Sequence, residues 1–273
     1  MNLKINFRKP LAFLKRDFLI NSSYMLLFLF QFGSIFFYVI TFFFISKIFG
    51  ANVSQYLVDY GGSYFSFVLI GIALYEYLSM AMTTFTQAIG QEQETGTLEA
   101  ILLSPTKIST VLISGSLWNF LVTSFNIFLY LLLGVLFFNF PIEKINIPAV
   151  IIILLLTIIS FSTFGIISAS FILVLKRGDP VNWLFSGISR FLGGVYFPVT
   201  ILPLWLQKIS YLLPITYSLH GMRMAILKGE STRDIWQDIL ALFLFCILLL
   251  PLSIACFKFA VRKAKKQGSL TYY

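Results

Sequence analysis

Charged side chains are scarce in this chain of 273 residues. Asp, Glu, Lys and Arg make up 11% of it, against about 25% in ordinary soluble domains, whereas 58% is hydrophobic. Several apolar runs exceed the ~20 residues that a helix needs to cross a hydrocarbon core of ~30 Å. Strict polar-apolar alternation is absent, so helices rather than a barrel are expected. The composition predicts one all-α polytopic membrane domain over residues 1–273.

Metal-binding and catalytic side chains are equally scarce. The one histidine, His220, suits a membrane interface, and the two cysteines, Cys246 and Cys256, lie ~15 Å apart along one predicted helix. So few potential ligands argue against a His/Cys metal site, and the distance between the two cysteines prevents a disulfide between them. There is no Gly-Lys dipeptide and hence no P-loop, and no serine has the nucleophile context Gly-x-Ser-x-Gly. The chain is therefore expected to hold no cofactor and to catalyse no reaction itself.

Apolar runs and their interruptions predict six transmembrane helices, at residues 24–46, 64–88, 110–138, 149–175, 181–198 and 235–259. The fifth is short because Pro198 and Pro203 interrupt it. Residues 1–22 are expected to form an amphipathic helix at the membrane surface, because an apolar stripe recurs at helical spacing, at Phe7, Leu11, Leu14 and Phe18. A basic flank that merely fixes the topology is the alternative.

Residues 199–228 are apolar, but prolines divide them into pieces too short to cross. We expect short helices that dip into the outer leaflet and return between the fifth and sixth spans. Tyr217 and its neighbouring aromatic residues suit the membrane interface. The residues assigned to this outer cap are Pro198, Pro203, Pro214, Tyr217 and Arg223.

The net charge of +9 is explained by membrane orientation rather than by nucleic acid, since the basic residues stand beside apolar runs. With both termini in the cytoplasm, thirteen Lys and Arg residues fall inside and six outside, and Arg190 lies within the membrane. This asymmetry predicts a multi-pass protein of the cytoplasmic membrane and places the loop after the second span in the cytoplasm.

That loop, residues 91–105, reads Q-E-Q-E-T-G-T-L-E-A-I-L-L-S-P. Three of the eleven acidic residues, Glu92, Glu94 and Glu99, fall within eight positions of it. Gly96 permits a bend, and the apolar residues after it recur at helical spacing, at Leu98, Ile101 and Leu102. A short amphipathic helix of this kind is suited to docking in a groove of a partner. The alternative is a solvated loop.

The E-x-G-T-L-E core of this loop and the L-L-S-P after it resemble the cytoplasmic signature of ABC-2 type permeases, the membrane subunits of a class of ATP-binding-cassette exporters. A second motif is also similar to that family: G-V-Y-F-P at 194–198, then I-L-P, W-L, and L-P-I-T-Y through G-M-R at 221–223. The resemblance covers nearly the whole chain.

The resemblance implies six spans, an interfacial N-terminal helix, the outer cap, dimerisation with a second permease copy, and two separate ATPase subunits that bind ATP and Mg. It also implies that a coupling helix contacts the ATPase subunit through Glu92, Glu94, Gly96, Thr97, Leu98 and Glu99. No ATPase domain occurs in the chain, so it resembles the half-transporter form.

Two charges fall near the middle of predicted spans. Glu76 lies ~18 Å from the outer end of the second span, and Arg190 ~14 Å from the inner end of the fifth. An unpaired charge at this depth costs ~2.5–3.5 kcal/mol or more. We expect the two to face each other or a wet cavity in the export route; a purely structural ion pair is the alternative.

Together these features predict the permease subunit of an ABC exporter that moves an amphipathic substrate, such as a drug, lipid or lipo-oligosaccharide, outwards. Export of a polysaccharide or cell-wall glycopolymer is the alternative within the family. From a different class, an ATP-independent secondary transporter could use Glu76 and Arg190 as an ion relay, but it would leave residues 91–105 without a role. A membrane anchor without transport activity would leave both intramembrane charges unexplained.

Overall fold

The computed structural model describes residues 11, 14–16, 18–19, 25–94, 108–175 and 179–266. Regular structure in these residues is helical, with no strand. The helices, in chain order, are α1 (Met25–Val53), α2 (Tyr64–Glu94), α3 (Ile108–Phe138), α4 (Ile147–Leu175), α5 (Pro180–Leu192), α6 (Leu204–Ser210), α7 (Pro214–Arg223) and α8 (Trp236–Lys266). Single turns of 3-10 helix stand at Ser54–Tyr56, Val58–Tyr60 and Val199–Ile201, and a π-helical turn, Met224–Lys228, continues α7.

Five of the described helices, α1 to α4 and α8, are long and apolar enough to cross a membrane. The candidate membrane-spanning segments in these helices are Leu29–Gly50, Tyr64–Gly90, Gly115–Phe138, Ile147–Val174 and Trp236–Ala264. Each segment overlaps one predicted span, namely the first to fourth and the sixth. The all-helical, multi-pass architecture expected from the composition is therefore confirmed.

The fifth predicted span differs in length, because α5 ends at Leu192 after 13 residues instead of continuing to 198. A helix of that length rises ~20 Å, less than a core of ~30 Å. Asp179 starts α5, since its side chain accepts a hydrogen bond from the Asn182 backbone N–H at 3.0 Å. Gly194 then turns the chain with a φ of +86°, a backbone angle that residues with a side chain rarely adopt. The helix is therefore stopped by glycine, before the prolines that were expected to interrupt it.

The core of the protein is built around α2. In an apolar stretch of 18 residues within it 78% of the residues are buried, against 11% and 17% in the corresponding stretches of α1 and α8. Phe67, Leu78 and Met82 are fully buried in it. α3 and α4 supply most of the surrounding contacts, and α1 and α7 complete them. α2 is therefore the axis of the bundle, with the other helices packed around it.

Residues 193–235 form a layer beside the beginning of α2. α7 is buried in this layer, with Ile215, Leu219 and Met222 in the core, and it packs against α2, α4 and α8. The shorter α6 is more exposed, as Leu204 and Trp205 are 77% and 65% accessible. Both helices are too short to cross a membrane.

Candidate functional site

The predicted coupling region begins where α2 ends. α2 continues unbroken to Glu94, so the backbone of Glu92 and Glu94 forms its last turn. The remaining predicted contact residues, Gly96, Thr97, Leu98 and Glu99, lie outside the described residues, as does most of 91–105. The bend and docking helix thus stay predictions. The structure adds that α2, the most buried of the five long helices, leads directly into the acidic stretch.

A polar groove lies between α1, α2 and α3. Its volume is about 290 Å³, and eight of its ten lining residues are polar: Gln31, Glu76, Ser79, Thr83, Gln87, Asn119, Thr123 and Asn126, together with Met80 and Val122. On α2 the polar residues recur at steps of three or four, which puts them on one face. They extend ~16 Å along the helix, from Glu76 at mid-depth to Gln87 near the acidic stretch.

The groove is held in place by polar contacts between α2 and α3. The Asn119 side-chain amide donates a hydrogen bond to the Thr84 hydroxyl. The Tyr77 and Ser124 hydroxyls share another at 2.7 Å. Both contacts connect α2 to α3 beside the groove, so its two principal walls are fixed relative to each other.

Arg190 lies near the end of α5, where aromatic rings surround it. Its Nε donates a hydrogen bond to the Tyr196 hydroxyl at 2.8 Å. The guanidinium carbon is 5.2 Å from the ring centre of Tyr75 and 5.7 Å from that of Tyr196, within the range of cation-π attraction. The Tyr196 ring in turn stacks on Phe42 of α1, with the ring centres 5.8 Å apart. Arg190 is thus held between α1, α2 and the turn after α5.

Glu76 and Arg190 form no ion pair with each other or with any other described residue. Tyr75, the neighbour of Glu76, turns its ring to Arg190 and donates a hydrogen bond to the Ser186 carbonyl at 3.5 Å. Glu76 instead lines the groove between α1, α2 and α3. The two charges therefore do not pair directly: Glu76 lines the groove, whereas Arg190 contacts Tyr75 and Tyr196.

The residues assigned to the outer cap are brought into one layer, and its prolines begin its helical pieces. Pro198 precedes the 3-10 turn Val199–Ile201, Pro203 precedes α6, and Pro214 is the first residue of α7. These are positions where a missing N–H costs no helical hydrogen bond. The Tyr217 hydroxyl donates to the Tyr211 carbonyl at 3.0 Å and so connects α7 to the end of α6.

Arg223, at the end of α7, is the buried cation of this layer, with 2% of its surface exposed. Its Nε donates to the Phe67 carbonyl and its Nη2 to the Val195 carbonyl, both at 3.1 Å. The guanidinium carbon lies 3.3 Å from the Phe67 ring centre and 5.8 Å from that of Tyr60. Burial raises the pKa of Tyr60, so that ring stays neutral beside the cation. Arg223 thereby joins α7, α2 and the turn after α5.

Gly71 makes room for this arrangement. A Cβ at this position would overlap the Val195 carbonyl oxygen and lie 2.8 Å from Nη2 of Arg223. The turn after α5 can approach the α2 backbone only because residue 71 has no side chain.

His220 and Asp238 form a side-chain hydrogen-bond contact that the sequence alone did not indicate. His220 Nδ1 lies 2.7 Å from Asp238 Oδ2, with 45% of the histidine side chain exposed and 10% of the aspartate. The contact connects α7 to the first turn of α8, where an acidic residue interacts favourably with the helix dipole. No group of three or more potential metal ligands occurs in the residues that the structure describes.

Most of the groove residues were also missed. Asn119, Thr123 and Asn126 recur at helical spacing in an otherwise apolar segment, which is a signal that the sequence does contain. The partner face on α2 could not be assigned before the helices were packed. These features are those of a polytopic membrane protein, in which charged and polar side chains inside the helical bundle mark candidate substrate or ion pathways.

Comparison with known proteins specifies this class. The family model described as ABC-2 family transporter protein matches residues 51–255. The chain therefore belongs to the ABC-2 transporter family.

Curated relatives agree with this membership. The chain is 25% identical to the inner membrane transport permease YadH of Escherichia coli K12 over 184 residues, covering 66% of this chain and 70% of YadH. It is 22% identical to the probable multidrug ABC transporter permease YbhR of the same organism over 158 residues, covering 58% of this chain. The match spans 43% of the length of YbhR.

Proposed function

We propose that the chain is the permease subunit of an ABC exporter, moving an amphipathic substrate outwards with energy from ATP hydrolysis on separate subunits. The observation that carries the proposal is that α2 runs unbroken from the layer of residues 193–235, through the core, to the acidic stretch. It does so in a chain that matches the ABC-2 family. Residues 91–105 would form the coupling helix that contacts the ATPase. The substrates that we propose are drugs, lipids or lipo-oligosaccharides.

In this mechanism the ATPase subunits close on ATP and displace the coupling helix. Because α2 is continuous and enclosed by α3 and α4, a displacement at Glu94 passes to Glu76 and on to the layer that holds Arg223. Nucleotide and substrate must each bind the inward-open and outward-open states with different affinity for the cycle to run.

The proposed topology has six crossings, with α5 as the short fifth crossing, α6 and α7 as the outer re-entrant cap, and both termini in the cytoplasm. The exposed apolar side chains of α5 support its place at a lipid or subunit surface, since Trp183 is 79% and Phe191 62% accessible. A second copy of the permease would complete the transporter as a homodimer.

Copurification from native membranes tests the proposal. The unaltered permease is expected to retain a stoichiometric ATPase, and the double variant Glu92→Lys/Glu94→Lys to lose it through charge reversal at the proposed contact. The matched control is Glu143→Lys/Glu230→Lys, which makes the same charge change in two loops at the opposite end of the bundle.

Loss of the ATPase in both double variants would show a general effect of charge and would contradict the coupling role. Transport by the purified permease without any ATPase, driven by an ion gradient, would replace the proposal with secondary transport.

A further inference from the structure

We propose that the polar groove between α1, α2 and α3 binds the ammonium head of a cationic amphiphile, with Glu76 as the counter-ion. The inference deepens the export function proposed above, on which its physiological role depends. The binding itself does not depend on the ATPase.

The first argument is the charge of Glu76. The carboxylate lines the groove at mid-depth, and no described residue forms an ion pair with it. The nearest intramembrane cation along this part of α2, Arg190, is engaged by Tyr196 and by the face of Tyr75. An intramembrane carboxylate needs water or an opposite charge beside it, and in this open polar groove a cationic ligand supplies the opposite charge.

The second argument is the chemistry of the remaining lining. Hydroxyls of Thr83 and Thr123 and the side-chain amides of Asn119 and Asn126 line the groove below and beside Glu76. Amide and hydroxyl oxygens accept hydrogen bonds from N–H groups. A protonated amine therefore meets hydrogen-bond acceptors as well as the carboxylate, whereas an anionic head would meet the carboxylate as a like charge.

The third argument is size and position. At about 290 Å³ the groove is far larger than a bare inorganic ion requires and is near the lower end of small-molecule sites, so it suits a head group rather than a whole amphiphile. The bordering helix α1 is the least buried of the membrane-crossing helices described. Beside Gln31, Phe30 is 69% and Phe32 41% exposed, which provides an apolar surface for a hydrocarbon tail.

The test is a binding titration with the permease alone in phosphatidylcholine nanodiscs. Two probes with the same tail and label are compared: 11-(dansylamino)undecylamine, whose free terminal amine is cationic, and 11-(dansylamino)undecanoate, which is anionic. Glu76→Gln is expected to weaken binding of the cationic probe about 10- to 100-fold and to leave the anionic probe unchanged, from the usual strength of hydrogen bonds to charged groups. The matched control Glu230→Gln removes a loop carboxylate and should change neither affinity by more than about twofold.

Equal binding of the two probes to the unaltered protein, or unaltered cationic binding in a folded Glu76→Gln variant, would overturn the proposal. If Glu76→Gln does not fold, Asn126→Leu and Thr83→Val take its place, with an expected loss of about 2- to 10-fold each for the cationic probe alone. Full retention of binding in both of these would also overturn it.

Phosphatidylethanolamine nanodiscs distinguish two sources of the same head group. Loss of probe binding there identifies the lipid's own ammonium as the occupant, whereas retained binding identifies a foreign amphiphile. Because these titrations contain no ATPase, their failure leaves the coupling proposal intact, and failure of the copurification test leaves the binding result intact.

Discussion

Replacing Arg223 with methionine tests whether this buried cation holds the layer of residues 193–235 against α2. Methionine retains an apolar stem of similar length but cannot donate hydrogen bonds, so the Phe67 and Val195 carbonyls each lose a donor now at 3.1 Å. A buried group left unsatisfied costs ~1–3 kcal/mol. The Phe67 carbonyl lies within α2, where a backbone N–H of the helix is a second donor to it. Losing the Arg223 hydrogen bond at this carbonyl should therefore cost an amount near the lower limit of that range.

The lost cation-π contact with Phe67 adds ~2 kcal/mol in a desolvated site. Methionine also removes the desolvation cost of a buried charge, and this gain offsets part of the lost stability. We therefore expect Arg223→Met to lower the free energy of unfolding by about 2–4 kcal/mol, on the order of a disruptive core substitution.

Reversible unfolding in mixed detergent and SDS micelles, followed by circular dichroism, measures this difference. Arg233→Met is the matched control, because Arg233 is exposed in the loop before α8 and should change stability by less than ~0.5 kcal/mol. A neutral or stabilising effect of Arg223→Met would refute the reasoning, since it would mean that desolvation of the guanidinium outweighs its contacts.

Three further predictions concern the same bundle. Gly71→Ala should lower stability by ~1–3 kcal/mol through overpacking, whereas Gly90→Ala, whose Cβ would meet no atom of another described element within 4 Å, should raise it by ~0.5–1 kcal/mol; opposite signs in the unfolding assay are the check. A double-mutant cycle of His220→Ala and Asp238→Ala should give a coupling energy of ~0.5–3 kcal/mol, and additivity would contradict the contact. Asp179→Ala should cost ~0.5–2 kcal/mol through loss of the α5 cap and speed hydrogen exchange in its first turn, while unchanged exchange there would count against the cap.

The sequence was sufficient for the helical class and for the five long apolar helices, because a long apolar run has few alternatives to a membrane-crossing helix. It was less accurate for α5, whose end depends on the left-handed turn at Gly194 rather than on Pro198. Both residue types stop helices, and nothing in the local pattern favours the earlier position.

The candidate sites divide in the same way. Glu76 and Arg190 could be singled out from the sequence, since charges in apolar segments are rare and costly. Their surroundings could not, because the groove and the aromatic contacts of Arg190 come from helices far apart in the chain. Arg223 looked like one of several outer basic residues, and only the packing of α7 on α2 shows that it is buried.

The sequence by itself determined that this is a multi-pass helical membrane protein with an acidic segment after its second long helix, because hydrophobic length and charge spacing are local properties. The tertiary structure decided which polar faces meet. Side chains such as Glu76 and Asn126 are 50 positions apart yet line one groove, and that proximity depends on how α2 packs against its neighbours.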